Sequence, residues 1–421
     1  LVNTIKHSRP KPRRTPFGAV VLLFVLAVLT GCTPLILPES WPGLTVQGTQ
    51  TDGRYDARYL YVAYRNTVFR IDMKRDATGR ELAEGQRATD RLVDWAANAP
   101  NNAQMFAAPT LAEDGTVYVG SYNHSVYAFS PTAGVRNQAL ANWSAPPGAD
   151  KIIASGVIYR DRLYLGQGDR GIRAYDAKNG GIVASFVEPK FGTWSAPIID
   201  EATQTLYFGS MDQYLYALDV ETLSLRWRVN LKGAIAATPL LHDGVLYVGT
   251  LNREMVAVDT RGNSAQPPRD QQDRILRRFR TEGWVWSTPV YRQGTLYFGD
   301  LRGFVYALDA ETLTQKWRAN DPERPGGIRG RVAVVDDKVI AASESKYLRA
   351  YRIDDGAAIW TSSPATDDRI LGDVVVIGND AIVTTLSEAN LVVAFDVASG
   401  GRNWSVKKPS PEDVQRLIQA P

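Results

Sequence analysis

Few residues in this chain have the type and spacing that chemistry needs. There is one cysteine, Cys32, and three histidines, His7, His124 and His242. No two of them stand at metal-ligand spacing, so a zinc site has no motif to rest on. The sequence contains no GxSxG nucleophile elbow and no phosphate-cradling GxxxxGK[ST]. "GQGDRG" (166–171) has glycines but joins two short strand-like runs, so it reads as a turn rather than a dinucleotide loop. Asp169, Asp212 and Asp300 fall in similar turns. Carboxylates there ordinarily bond nearby backbone amides, whereas Ca²⁺ needs roughly six to eight converging oxygens. No catalytic residue and no metal ligand is assigned.

A set suited to binding is more apparent. "WPGL" (41–44), "WSAP" (194–197) and "WSTP" (286–289) share one register of a repeat, and other copies hold Phe106, Ile153, Ala236 and Arg329 in that slot. Turns expected on the same side carry His124, Arg170, Arg253, Arg302 and Lys346. Trp194 and Trp286 with Arg253, Arg302 and Arg329 are therefore the candidate site for a ligand or partner. Guanidinium groups stack on indoles and pair with anions, which suits an anionic planar ligand or an acidic segment. The alternative is a hydrophobic plug ringed by solvated charges, since an apolar patch alone proves nothing.

The elements that position these residues come from repetition. "GSMDQYLYALDVETLSLRWRVN" (209–230) returns as "GDLRGFVYALDAETLTQKWRAN" (299–320). The "YALD" block occurs eight times, ending at Asp72, Ser130, Asp176, Asp219, Asp259, Asp309, Arg352 and Asp396, at spacings of 40 to 58 residues. That period belongs to propellers and solenoids. Each unit reads as four short strands of alternating polarity. In the fourth these are 195–200, 205–210, 214–219 and 225–230. No helical period within 41–408 could supply parallel crossovers. The expected fold is all-β: an eight-bladed β-propeller of four-stranded antiparallel blades. The two longest spacings place loops at 73–90 and 264–273. Residues 409–421 form a tail with room for a short helix.

The outermost strand of every copy carries an aromatic: Trp95, Trp143, Phe186, Trp227, Phe279, Trp317, Trp360 and Trp404. A ring there can lie between blades and bury roughly 150–250 Å². These eight are assigned to docking. Outer strands such as "LRWRV" and "QKWRA" are also basic, as suits an edge that refuses strand addition. Attraction to an anionic envelope surface is the sharper reading.

The N-terminus reads as a targeting segment. Lys6, Arg9, Lys11, Arg13 and Arg14 precede the apolar run 17–29, which is short for a membrane span and suits a signal-peptide core. "LTGC" follows and resembles the lipobox of bacterial lipoproteins, which implies cleavage after residue 31, a lipidated Cys32 and a linker to residue 40. Of 48 Lys and Arg, five lie in this leader, and the remaining 43 face 45 acids. The propeller is thus near neutral, which gives no general attraction to nucleic acid.

"ALDAETLTQKW" and "ALDVETLSLRW" resemble the tryptophan-docking repeat of the pyrroloquinoline-quinone (PQQ) propeller superfamily, over essentially all of 41–408. That superfamily includes quinoprotein alcohol dehydrogenases and non-catalytic lipoproteins of the outer-membrane β-barrel assembly machinery. The former hold PQQ against a disulfide of adjacent cysteines, with calcium beside it; a single cysteine departs from that pattern. A lipobox followed by eight repeats resembles the latter group more. The resemblance implies a monomeric propeller, lipid-anchored to a membrane and binding envelope proteins as a scaffold, with no cofactor. The alternatives are a PQQ- and calcium-dependent oxidoreductase and a carbohydrate- or polymer-binding surface protein.

Overall fold

Eight four-stranded antiparallel units follow one another along the chain, at 43–98, 110–144, 157–186, 198–230, 240–280, 290–319, 333–361 and 375–406, the first and last joined into one sheet by a single parallel bridge. They are the blades of the expected propeller, numbered 1 to 8 here. The structure, a computed structural model, describes residues 40–421 apart from 84–85, 87, 101–102, 131–138, 145–150, 169–170, 263–269 and 420–421. The leader, the linker up to residue 39 and Cys32 therefore lie outside the described residues. So do Asp169 and Arg170.

Within each blade the strands lie side by side in chain order. In blade 4 they are Ile198–Asp200, Thr205–Gly209, Tyr214–Asp219 and Leu225–Asn230. The inner strand starts three residues later than the pattern suggests. Pro197 has no N–H for the ladder, and Ser195 instead accepts from the Gly209 amide through its hydroxyl at 3.1 Å. Pro239 and Pro289 stand at the same place in blades 5 and 6.

The core lies between blades. Tyr207, Trp227 and Val229 of blade 4 pack with Leu246, Val248 and Val258 of blade 5, and the other joints repeat this. Trp95, Phe186, Trp227, Trp317 and Trp404 are buried; Phe279 and Trp360 are partly buried against the next blade. Trp143 pairs with Val126 in the outer strand of blade 2, and its side chain lies outside the described residues. Two kinds of joint appear. Trp317 and Trp360 donate to the Ile353 and Val397 carbonyls of the following blades, at 2.8 and 3.1 Å. Each ring lies flat over a glycine. A Cβ on Gly356 or Gly400 would stand 2.6 or 2.5 Å from it, and both glycines have positive φ. Phe186 and Phe279 instead meet Leu223 and Leu313, so a smaller ring faces a larger corner residue.

The ring closes without exchanging a strand. Blade 1 is continuous in sequence, but its first two strands, Gly43–Thr51 and Arg54–Tyr64, are much longer than their counterparts. This hairpin pairs in parallel with the inner strand of blade 8 at Tyr55 and Ile377. Thr384 donates to the Pro42 carbonyl at 2.9 Å, and one apolar cluster spans blades 1 and 8. The tail forms a helix, Pro411–Gln419, capped reciprocally by Ser410 and Asp413, with Val414 and Leu417 in the same cluster.

Candidate partner-binding surface

Antiparallel order puts the turns between second and third strands on the same face as the segments entering the inner strands. The predicted mouth set is there, and part of it assembles. The Trp194 and Trp286 rings, from blades 4 and 6, meet with centroids 5.9 Å apart and planes at 39°. Blade 5 has only Ala236 in that slot. The Arg329 guanidinium lies 5.0 Å above Trp286 and also binds Glu344. Arg253 and Arg302 do not join this stack. Arg302 is exposed, 3.9 Å from Glu282, which Arg318 engages at 2.6 Å. Arg253 is exposed in a turn with φ near +62°. Glu282 and Glu344 thus offset charge that the sequence reading left unbalanced. A second aromatic arc runs from Trp41 to Phe106 (5.4 Å) to Tyr122 (5.3 Å), with Lys151 donating to the Tyr122 hydroxyl at 2.8 Å.

The turn carboxylates are committed locally. Asp300 accepts from the amides of Gly283, Arg302 and Phe304 and from the Tyr306 hydroxyl. Burial pushes that hydroxyl well above its usual range and the Asp300 charge adds to the shift, so Tyr306 remains a donor. Asp212 likewise accepts from the amides of Lys190 and Tyr214 and the Tyr216 hydroxyl. Among the described residues no group of three or more His, Cys, Asp or Glu converges.

The outer edges differ more than the repeats suggest. Both long loops reach back to cover the preceding blade. In blade 5, Gln271 donates to the Arg228 carbonyl at 2.9 Å, and Asp270 binds the Arg228 side chain. In blade 1, Thr89 accepts from the Ser405 amide of blade 8. Blades 5 and 6 carry paired arginines, Arg278 on Glu254 and Arg318 on Glu282. Blade 7 has a four-residue outer strand, and Ser363 just beyond it is tied to Gly400.

Blade 3 has none of these devices. Its outer strand, Ile182–Phe186, carries no charge, and Val183 and Ser185 stand where blade 4 has Arg226 and Arg228. No described segment hydrogen-bonds along its free side. Six large hydrophobic residues are exposed among the described residues, and four belong here: Ile182, Val183, Val187 at 52% and Phe191 at 53%. The loop after the strand is held in place. Asp212 accepts from the Lys190 amide at 3.0 Å, Ser210 donates to the Phe191 carbonyl at 3.1 Å, and Met211 donates to Gly192. Phe191 is thereby presented outward, three residues before Trp194. Sequence reasoning passed over this strip. The signal was the absence of Lys and Arg from "IVASFV" (182–187).

A family model described as outer membrane protein assembly factor BamB matches residues 168–265 and 270–419. The chain belongs to this family. The PQQ-like repeat is shared with a stretch of the quinohemoprotein alcohol dehydrogenase ADH IIB of Pseudomonas putida, 30% identical over 155 residues, 34% of this chain and 22% of that protein. The serine/threonine-protein kinase/endoribonuclease ire-1 of Caenorhabditis elegans matches 172 residues at 26% identity, 38% of this chain and 16% of the relative. The chain thus spans under a quarter of either curated relative. Among solved structures, BamB from Moraxella catarrhalis superposes with a TM-score of 0.59 at 16% identity, covering 82% of this chain and 95% of that one. The computationally designed Ika8 protein gives 0.56 at 11% identity, over 73% and 90%. At these identities both show the propeller fold.

Proposed function

We propose that this member of the BamB family is a non-enzymatic, lipid-anchored scaffold of the cell envelope. Its partner docks along the open outer strand of blade 3 and the loop leading from it toward the Trp194–Trp286 mouth. The observation that carries this is an uncharged strand edge with exposed apolar side chains that no described segment covers, in a ring whose edges in blades 1 and 4 to 8 are charged, short or covered; the side chains of the outer strand of blade 2 lie outside the described residues. An edge strand offers unpaired backbone N–H and C=O groups as well as side chains, so the partner is a protein presenting a strand of its own. The family's description supports placing that partner among outer-membrane proteins or those that assemble them. Trp194, Trp286 and Arg329 extend the surface toward acidic groups; Arg253 and Arg302 flank it. A photo-crosslinking residue at 187 or 191 should trap one defined envelope protein in cells, and the same residue at 318 should not. Equal trapping at all three positions would sink the assignment. Lipidation at Cys32 is tested separately by mass spectrometry of the mature N-terminus.

The match to ADH IIB supports a second reading, a quinoprotein-type oxidoreductase. Adding PQQ and Ca²⁺ and following the quinone absorbance discriminates the two: a bound, reducible quinone would favour the enzyme.

A further inference from the structure

On the face opposite the mouth, the tip of the blade 1 hairpin enters the central channel. It crosses the inner side of blade 8 and lands on blade 7. Arg54 grips Asp336 with both terminal nitrogens and donates to the Gly378 carbonyl at 2.8 Å. Gly53 packs so closely that a Cβ would stand 1.8 Å from the Val334 carbonyl oxygen. Between this tip and the inner strands of blades 6 to 8 lies a chamber of about 250 Å³, walled by Gln50, Asp52, Tyr291, Arg292, Arg331 and Val374 among others.

The polar groups of this chamber are unevenly matched. Among the described residues Arg292 makes no hydrogen bond and no ion pair, and its Nη1 is buried without a partner. Asp336, whose carboxylate feels the Arg292 charge through space, is already bound by Arg54. Arg331 donates to the Tyr55 hydroxyl at 3.2 Å and stands 3.7 Å from Asp373, whose carboxylate also accepts the Arg331 amide. Of the acids here, only Asp52, exposed at the hairpin tip, is uncommitted. A buried donor without an acceptor is costly, and an oxyanion is the partner that fits a guanidinium fork.

We propose that the chamber is a binding site for a small oxyanion-bearing ligand, a carboxylate or a phosphate, held by Arg292 and Arg331 and walled on one side by the blade 1 hairpin. A space of this size accommodates a compact anion of a few carbons.

Calorimetric titration of the full chain in detergent, with inorganic phosphate and separately with succinate, tests this and distinguishes the two sources of oxyanion. Saturable binding of at least one is expected. Arg292→Gln and Arg331→Gln should each weaken it at least about tenfold. Asp52→Asn removes a repelling charge and should tighten it, while Trp194→Ala on the other face leaves it unchanged. Where Arg292→Gln fails to fold by circular dichroism, Arg292→Lys keeps the charge, loses the fork and should still weaken binding. No saturation by either anion up to about 10 mM, or binding that survives the arginine changes, would overturn the site and leave a water-filled chamber.

Discussion

The outer edges of blades 3 and 4 are built from one repeat and end in opposite states. In blade 4, Arg226 binds Asp219 at 2.8 Å and the Thr203 carbonyl, Arg228 binds Asp270, and the Gln271 amide donates to the strand. In blade 3, Val183 and Ser185 replace those arginines, and four exposed apolar residues lie along the strand and its loop. Both strands bury one aromatic in their joints, Trp227 opposite Ala217 and Phe186 two positions further along, opposite Ile172. The inward side of an outer strand is thus fixed by the ring, and the outward side is free to vary. A covered edge protects a sheet from other chains. An open, apolar edge beside closed ones singles out a place to bind.

The comparison breaks first if the two sides of a strand do not separate energetically. Trp227→Ala, under Arg274 at the joint with blade 5, should lower stability by about 3–5 kcal/mol, and Val187→Ala should change it by under about 0.5 kcal/mol; urea unfolding measures both. Similar costs would mean that Val187 is packed. The next largest effect concerns binding. Val183→Arg with Ser185→Arg gives blade 3 the fence of blade 4, and crosslinking through position 191 should fall about tenfold, a loss of roughly 1.4 kcal/mol in affinity, with the fold intact. Undiminished crosslinking would move the partner off this strand.

Opening the closed edge is a milder change. Asp270→Ala frees Arg228 and should cost at most about 1 kcal/mol, as exposed ion pairs do. Hydrogen exchange of the Gln271 amide should quicken as the cover loosens, and unchanged exchange would show that Asp270 does not hold it. The smallest effect is acid dependence. Burial alone would raise Asp219, but the hydrogen bond from Arg226 and those from Thr222 outweigh it and hold it at about 2. An unfolded aspartate titrates near 3.9. The depressed folded value means that its contribution is complete above about pH 4 and is lost as the pH falls toward 2. Asp219→Asn should flatten the acid limb of a stability profile over that window. An unaltered limb would leave Arg226 as a solvated charge rather than part of the fence.

The sequence by itself determined the blade count and the strand order, and it marked one aromatic in each outer strand. Each depends on residues close together in the chain: alternation of period two, turn residues at fixed offsets, and one ring per unit. It also placed Trp194 and Trp286 in a common register, and the Phe186–Leu223 and Trp317–Gly356 pairings can be read across neighbouring copies. Only the tertiary structure decided which charges remain available. Glu344 and Glu282 sit in other strands or loops than the arginines they meet, so no local pattern joins them to Arg329 and Arg302. It decided as well that two long loops cover edges, because a loop's landing place depends on blades that its own sequence does not describe. The hairpin of blade 1 shows the same limit most plainly. Its extra residues read as ordinary strand, yet Arg54 and Asp336 are 282 positions apart. Closing the ring brings blade 1 beside blades 7 and 8, and that closure walls the chamber in which Arg292 Nη1 has no partner among the described residues.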